Sequence, residues 1–228
     1  MATQYANGKI VTDGLVLSLD AADRNSYVSG SLVWNDMSGN NYSSSLINNP
    51  GYSTSGAGSI VFDGIDDYAI RTDAVLKNYT TITANIWMYL NAYTSDYETY
   101  ISYNADEAFL NQGWGIRRSG GNTFQYWGGT GNTGIKLHKN GILIDSSVSA
   151  NAVIPGFNTL GSWEMITLVA TGVSTWSTHN RFTIATRSDS INTSTNMNCS
   201  SFILYNRELS ILEIRQNYSA QKSRFGLK

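Results

Sequence analysis

The segment Thr81-Ile82-Thr83-Ala84-Asn85-Ile86-Trp87-Met88-Tyr89-Leu90 constrains the fold more than any other stretch. Ile82, Ala84, Ile86, Met88 and Leu90 occupy alternate positions, and Thr, Asn, Trp and Tyr fill the places between. A period of two is the mark of a β-strand. An apolar face backed by a polar and aromatic one places this strand centrally in a two-layer structure.

Shorter stretches repeat the pattern. Leu15, Leu17 and Leu19 alternate within Gly14–Asp20, and Trp163, Met165, Thr167 and Val169 share one side of their segment. Tyr100–Tyr103, Trp114–Ile116, Thr123–Trp127, Arg181–Ala185 and Ser201–Tyr205 carry the aromatic and β-branched residues that strands favour. Asn140-Gly141 stands between two apolar runs, a strong hairpin signal. Phe62-Asp63-Gly64-Ile65-Asp66-Asp67-Tyr68 reads as a second hairpin with an acidic tip, with Ile60, Phe62, Tyr68 and Ile70 on its core side. The segment from Thr186 to Asn198 reads as a polar loop.

One helix is expected, from about Ser210 to Tyr218. Ser210 and Glu213 have capping-box spacing, and Leu209 and Ile214 stand at the staple positions around that cap. Leu212 and Tyr218 are expected to pack on the strands with the staple pair. The chain has 228 residues, 41% of them hydrophobic and only 14% charged, which suits one large all-β domain. The division is an N-terminal arm or edge segment over 1–13, a single domain over 14–220 and a C-terminal tail over 221–228. Leu17, Phe62, Trp87 and Trp163 are the expected core markers.

Composition excludes several classes. The formal charge is −2 with scattered Lys and Arg, so the basic footprint of a nucleic-acid binder is missing. No apolar run reaches membrane-spanning length. The start of the sequence lacks the basic and apolar regions of a secretory signal. Cys199 is alone, so no intrachain disulfide forms, and it reads as a small buried apolar residue.

Taken in order, several motifs together resemble the laminin G-like, concanavalin A-like lectin/glucanase superfamily. They are Gly14–Ala21, Trp34–Asn40, Phe62–Tyr68, the Trp87 and Trp163 strands, and Leu204–Ser210 with its helix. The segments Glu213–Tyr218 and Arg224–Leu227 look most like those of lectin-like virion proteins of tailed bacteriophages. The resemblance implies a two-sheet antiparallel jelly-roll sandwich with a short C-terminal helix. It also implies a non-enzymatic virion structural protein, made in the host cytoplasm and displayed on the virion surface as a head decoration or fibre/appendage component. Its partners would be other virion proteins and further copies of itself, as a trimer or in repeated copies. The alternative is a carbohydrate-binding module for host-surface glycans, with calcium as the candidate ion and no other cofactor.

Three chemistries bear on this frame. Glucanase relatives place alternate carboxylates on one strand, and Glu98, Glu107, Glu164, Glu208 and Glu213 lack that spacing. The expectation is therefore no enzyme activity. For calcium, loop position in pentraxin-like relatives points to Asp106, Asn111 and Asp189. Asp63, Asp66 and Asp67 are read instead as turn-closing groups. For glycans, Trp114, Tyr126, Trp127 and Trp176 lie near loops rich in Gly, Asn and Ser. His138 and His179 are isolated from other metal ligands.

Overall fold

The computed structural model describes residues 4–5, 8–72, 79–103, 113–120, 123–128, 133–148, 153–155, 159–173, 181–187 and 193–228. The strands in chain order are β1 (Gln4–Tyr5), β2 (Gly8–Lys9), β3 (Leu15–Asp20), β4 (Val33–Trp34), β5 (Ser44–Ile47), β6 (Gly51–Ser53), β7 (Ser59–Asp63), β8 (Tyr68–Thr72) and β9 (Thr81–Leu90). They continue with β10 (Thr99–Tyr103), β11 (Trp114–Arg118), β12 (Thr123–Gly128), β13 (Thr133–Lys139), β14 (Ile142–Val148), β15 (Val153–Pro155), β16 (Trp163–Thr171), β17 (Arg181–Ile184) and β18 (Asn196–Tyr205). One α-helix among the described residues, α1 (Ile211–Gln221), follows and runs into a 3-10 turn over Lys222–Phe225.

Two large antiparallel sheets form a sandwich, the two-sheet all-β fold expected from the alternating strands. One has the order β15-β12-β11-β10-β17-β8-β5-β4. The other has the order β14-β13-β16-β9-β18-β7-β6, with β3 also paired to β18. Strand β9 lies between β16 and β18, so the most strongly alternating segment is central, as its pattern demands. Its Ile82, Ala84, Ile86, Met88 and Leu90 enter the core between the sheets with Leu17, Ile60, Phe62, Phe202 and Leu204.

The other face of β9 is also covered over much of its length. Trp87, Met165, Val169, Ile203 and Tyr205 pack beneath Leu209, Ile214 and Ala220 in a second cluster. The arm contributes to it, with Ile10 and Val11 buried and the Val11 N–H donating to Asn217 Oδ1 at 2.8 Å. Phe225 stacks on Trp87 with ring centroids 4.0 Å apart. Arg224 clamps this tail by donating two 2.8 Å bonds to the Asp20 carboxylate.

The helix cap forms as its spacing predicts. Ser210 Oγ accepts from Glu213 N, and Glu213 Oε2 accepts from Ser210 N at 2.8 Å. Leu209 and Ile214 are buried, but Leu212 is 71% exposed and faces solvent. The helix also extends past Tyr218 to Gln221, because the buried Ala220 and Gln221 hold its last turn against the sheet.

The acidic segment at 62–68 is not a hairpin. β7 pairs with β6 and β18 in the helix-side sheet, whereas β8 pairs with β5 and β17 in the opposite sheet. The segment therefore turns a corner from one layer to the other. Ile60 and Phe62 are core residues as expected, but in β8 it is Ala69 that faces inward, and Tyr68 and Ile70 are only half-buried. At the genuine hairpin, β13–β14, Asn140 and Gly141 take φ of 52° and 77°, as a two-residue turn of the favoured twist requires. Strand β18 begins at Asn196, inside the segment expected to be loop. Asn196 is half-buried, and Met197, Asn198 and Cys199 are all buried, so this strand carries buried polar residues that read as loop in the sequence.

Candidate functional site

The candidate site lies on the helix-side sheet, beyond the end of the sheet that the helix covers. Trp163 and Tyr89 are direct cross-strand partners on β16 and β9. Both rings are half-buried, their centroids lie 5.6 Å apart and their planes are tilted by 56°. Trp163 is held from behind by Phe225 at 4.8 Å and donates from Nε1 to Ser55 Oγ at 3.2 Å. It thus belongs to the outer face and not to the inter-sheet core expected for it.

The next strand supplies amides. Asn198 pairs with Tyr89, so it shares the same face. Asn91, just past the end of β9, donates from Nδ2 to both Asn196 Oδ1 and Asn198 Oδ1, each at 3.0 Å. Its backbone N–H also donates to Asn196 O at 3.0 Å. Those two bonds use both protons of the Asn91 amide. Among the described residues, no hydrogen bond takes up Nδ2 of Asn196 or Asn198. An aromatic pair next to unspent amide donors can stack on a flat apolar face and bind hydroxyl oxygens beside it.

The acidic corner adjoins this row, because Asn196 pairs with Asp63 across β18 and β7. Gly64 has φ of 81°, and a Cβ there would lie 2.6 Å from Thr94 Cγ2 and 2.8 Å from Asn196 Cβ. Only glycine allows so close an approach. Asp63 Oδ1 accepts from Ile65 N at 2.7 Å, and Asp67 Oδ2 accepts from Asp63 N at 3.4 Å, so both close the turn. Burial, with Asp63 and then Asp66 adding charge repulsion, pushes the Asp67 carboxyl up to about 6. One oxygen from each of Asp63, Asp66 and Asp67 falls within 4.8 Å of the others, the one such acidic set among the described residues. Counted at one oxygen each, the three carboxylates supply three ligands, and calcium's remaining positions would fall to their second oxygens, backbone carbonyls or water.

Two further glutamates are held by their own partners. Glu98 is fully buried and accepts backbone N–H groups from Thr94 and Ser95. Its other oxygen stands 3.7 Å from Arg118 Nε, and the Arg118 guanidinium lies 4.4 Å from the Tyr93 ring centroid. Glu164 pairs with Lys139 at 2.6 Å.

The residues singled out from sequence fall elsewhere. Trp114 and Tyr126 are buried in the inter-sheet core, 1% and 0% exposed, and offer no ring face to a ligand. Their strands, β11 and β12, turn these positions inward, and nearness to glycine-rich loops did not reveal that. The Trp127 side chain, Trp176, and the calcium candidates Asp106, Asn111 and Asp189 lie outside the described residues. What sequence reasoning missed is the Trp163, Tyr89, Asn91, Asn196 and Asn198 group. The available signal was the polar and aromatic alternate face of β9, read outward past Trp87.

No protein-family model matches the sequence, and no curated protein matches it. Among solved structures, the fold is shared with a Trypanosoma rangeli sialidase, at TM-score 0.64 and 14% identity, over 95% of this chain and 34% of the sialidase. It is shared also with the receptor binding domain of a botulinum neurotoxin C/D mosaic serotype, at TM-score 0.61 and 14% identity, over 92% of this chain and 52% of that one. The serotype G binding domain gives TM-score 0.57 at 15% identity, over 92% and 51%. This chain thus spans about a third of the sialidase and about half of the toxin domains. The expectation of no enzyme activity is overturned as an inference from the fold, because chains containing this sandwich include sialidases. At 14% identity the likeness shows the fold alone and assigns no activity. No helix among the described residues is long and apolar enough to cross a membrane. The chain is a two-sheet β-sandwich whose fold recurs in a sialidase and in neurotoxin binding domains.

Proposed function

We propose that this protein is a carbohydrate-binding module and that the Trp163–Tyr89 pair is its sugar platform. The observation that carries the reading is the placement of two half-buried rings, 5.6 Å apart, beside the Asn91–Asn196–Asn198 amide row on one sheet face. Sugar rings have apolar faces rimmed by hydroxyls, so they need both elements at once. The fold supports the reading, since it recurs in toxin domains whose work is binding. Display on a phage virion rests on the sequence resemblance, and a surface glycan is the ligand such a display would meet.

The test is a glycan array probed with the folded protein and with Trp163→Ala, each with and without a chelator. Binding that falls at least about tenfold in the variant, a difference of about 1.4 kcal/mol, supports the platform. Binding to no glycan, or undiminished binding by the variant, contradicts it. The chelator arm reports separately on calcium.

A further inference from the structure

We propose that β14 is the contact edge of a two-fold dimer, in which it lies antiparallel against β14 of a second copy. Among the described residues, the two large sheets end in β15 and β4 on one side of the sandwich and in β14 and β6 on the other. A bare edge invites pairing, and folds protect it by shortness, proline or charge. Three of these edges are protected so. β4 has 2 residues, β6 has 3, and β15 has 3 and ends in Pro155. β14 has 7 residues with no proline, lysine or arginine, and among the described residues β13 is its one strand partner.

The side chains along this edge are apolar. Ile142, Leu143 and Ile144 are consecutive, and they are 61%, 46% and 44% exposed. Leu143 pairs with His138 and Asp145 with Leu137, so Ile144 is the extra residue of a bulge. The bulge limits the ladder that a partner strand can form, and side-chain contact has to carry much of the interface. Helix α1 widens the patch. Arg215 Nε donates to Gly141 O at 3.4 Å, which sets that flank of the helix beside the turn into β14. Ile211 stands one helical turn before Arg215 and is exposed on the same flank, with the exposed Leu212 next to it.

The occupant follows from how charge is laid along the edge. Arg215 stands at the Gly141 end, and among the described residues it pairs with no carboxylate. Asp145 stands at the other end of the apolar run. A two-fold axis through Leu143 sets Ile142 opposite Ile144 and Gly141 opposite Asp145. The Arg215 of each copy then comes to the Asp145 of the other. The surface is complementary to itself, as a closed dimer requires. A parallel partner strand would put arginine against arginine instead.

The experiment is sedimentation equilibrium of the whole chain over a concentration series. It uses wild type, Leu143→Lys, Asp145→Arg, Arg215→Asp and the double variant Asp145→Arg, Arg215→Asp. Wild type should pass from the mass of one chain to that of two as concentration rises. Leu143→Lys should stay at one chain throughout. Each single reversal acts twice across the axis and should weaken the dimer at least about tenfold, a difference of about 1.4 kcal/mol. The double variant exchanges the signs of the pair and should recover most of that loss. Leu143 and Arg215 are exposed, so melting midpoints at a concentration where wild type is monomeric should match and show the variants folded. A wild type of one chain at every concentration would overturn the dimer and leave the edge to a different protein. A mass of three or more chains would overturn the two-fold, which closes at two. A dimer that Leu143→Lys leaves intact would put the contact on another surface, and a double reversal that recovers nothing would overturn the antiparallel register.

Discussion

Trp163 faces Tyr89 across the β16–β9 ladder, and Phe225 from the C-terminal turn closes on Trp163 from the other side at 4.8 Å. The ring that faces solvent is therefore set by a segment far away in sequence. Gly56 belongs to the same contact, since a Cβ there would lie 2.7 Å from the Phe225 ring and 2.8 Å from the Trp163 ring. Phe225→Ala should lower stability by about 1–3 kcal/mol, below the full cost for a buried Phe because the ring is only partly covered. Urea unfolding monitored by fluorescence checks this. An unchanged midpoint would mean that the tail is not docked.

The corner at Gly64 makes a second prediction. Gly64→Ala combines a left-handed backbone with a Cβ forced onto Asn196 and Thr94. The cost should be about 2 kcal/mol or more, and β7 and Asn196 should move apart. A melting midpoint equal to that of wild type would show that the corner is looser than the structure has it.

At the helix start, Ser210→Ala should cost about 0.5–2 kcal/mol at neutral pH. The Arg207 guanidinium, with the Ser210 backbone N–H, holds the Glu213 carboxyl down at about 2. A depressed carboxyl stabilises the fold above its ordinary value near 4.5 and loses that contribution as the pH falls toward 2. In Glu213→Gln, stability should depend less on pH between 4.5 and 2. An identical acid profile would place the cap's charge elsewhere.

His138 and Asp67 should pull the pH profile in opposite directions. Burial, with Lys136 adding repulsion, pushes the His138 imidazole down to about 4. The unfolded chain then takes up the proton first, so this residue's contribution is full above pH 6.5 and is lost on the way to 4. Asp67 is raised to about 6, so its ionised form costs stability above that pH and the cost is relieved as the pH falls toward 4. Asp67→Asn should gain about 1 kcal/mol at pH 8 and nothing at pH 4. His138→Gln should flatten the loss between pH 6.5 and 4. Thermal melts across that range check both, and equal shifts at every pH would contradict them.

Much of the sandwich was legible because its strands advertise themselves by alternation. Leu17, Ile86 and Phe62 each sit in a period-two run and are buried. The capping box needed only Ser210 and Glu213. What could not be read was layer membership. The segment at 62–68 has the turn chemistry of a hairpin, yet β7 and β8 join different sheets, and turn residues do not record which sheet the next strand enters. For the same reason Trp114 and Tyr126 were legible as strand aromatics but not as inward-facing ones. The candidate site escaped notice because it is assembled across β16, β9, β18 and β7, four strands remote in sequence. Asn198 gains meaning only once it stands beside Tyr89.

The central claim is that sugar is held at the Trp163–Tyr89 platform. The most direct measurement is a two-dimensional NMR titration of the indole and side-chain amide signals with a glycan that binds on the array. The chain has 6 tryptophans, so the indole signals are few enough to resolve. Trp34, Trp87 and Trp114 are buried and serve as internal controls. Saturating glycan should shift the Trp163 indole N–H and the Asn196 and Asn198 side-chain amides and leave those three controls in place. Shifts that leave Trp163 and the asparagines unmoved, at a glycan concentration that saturates binding, would contradict the account.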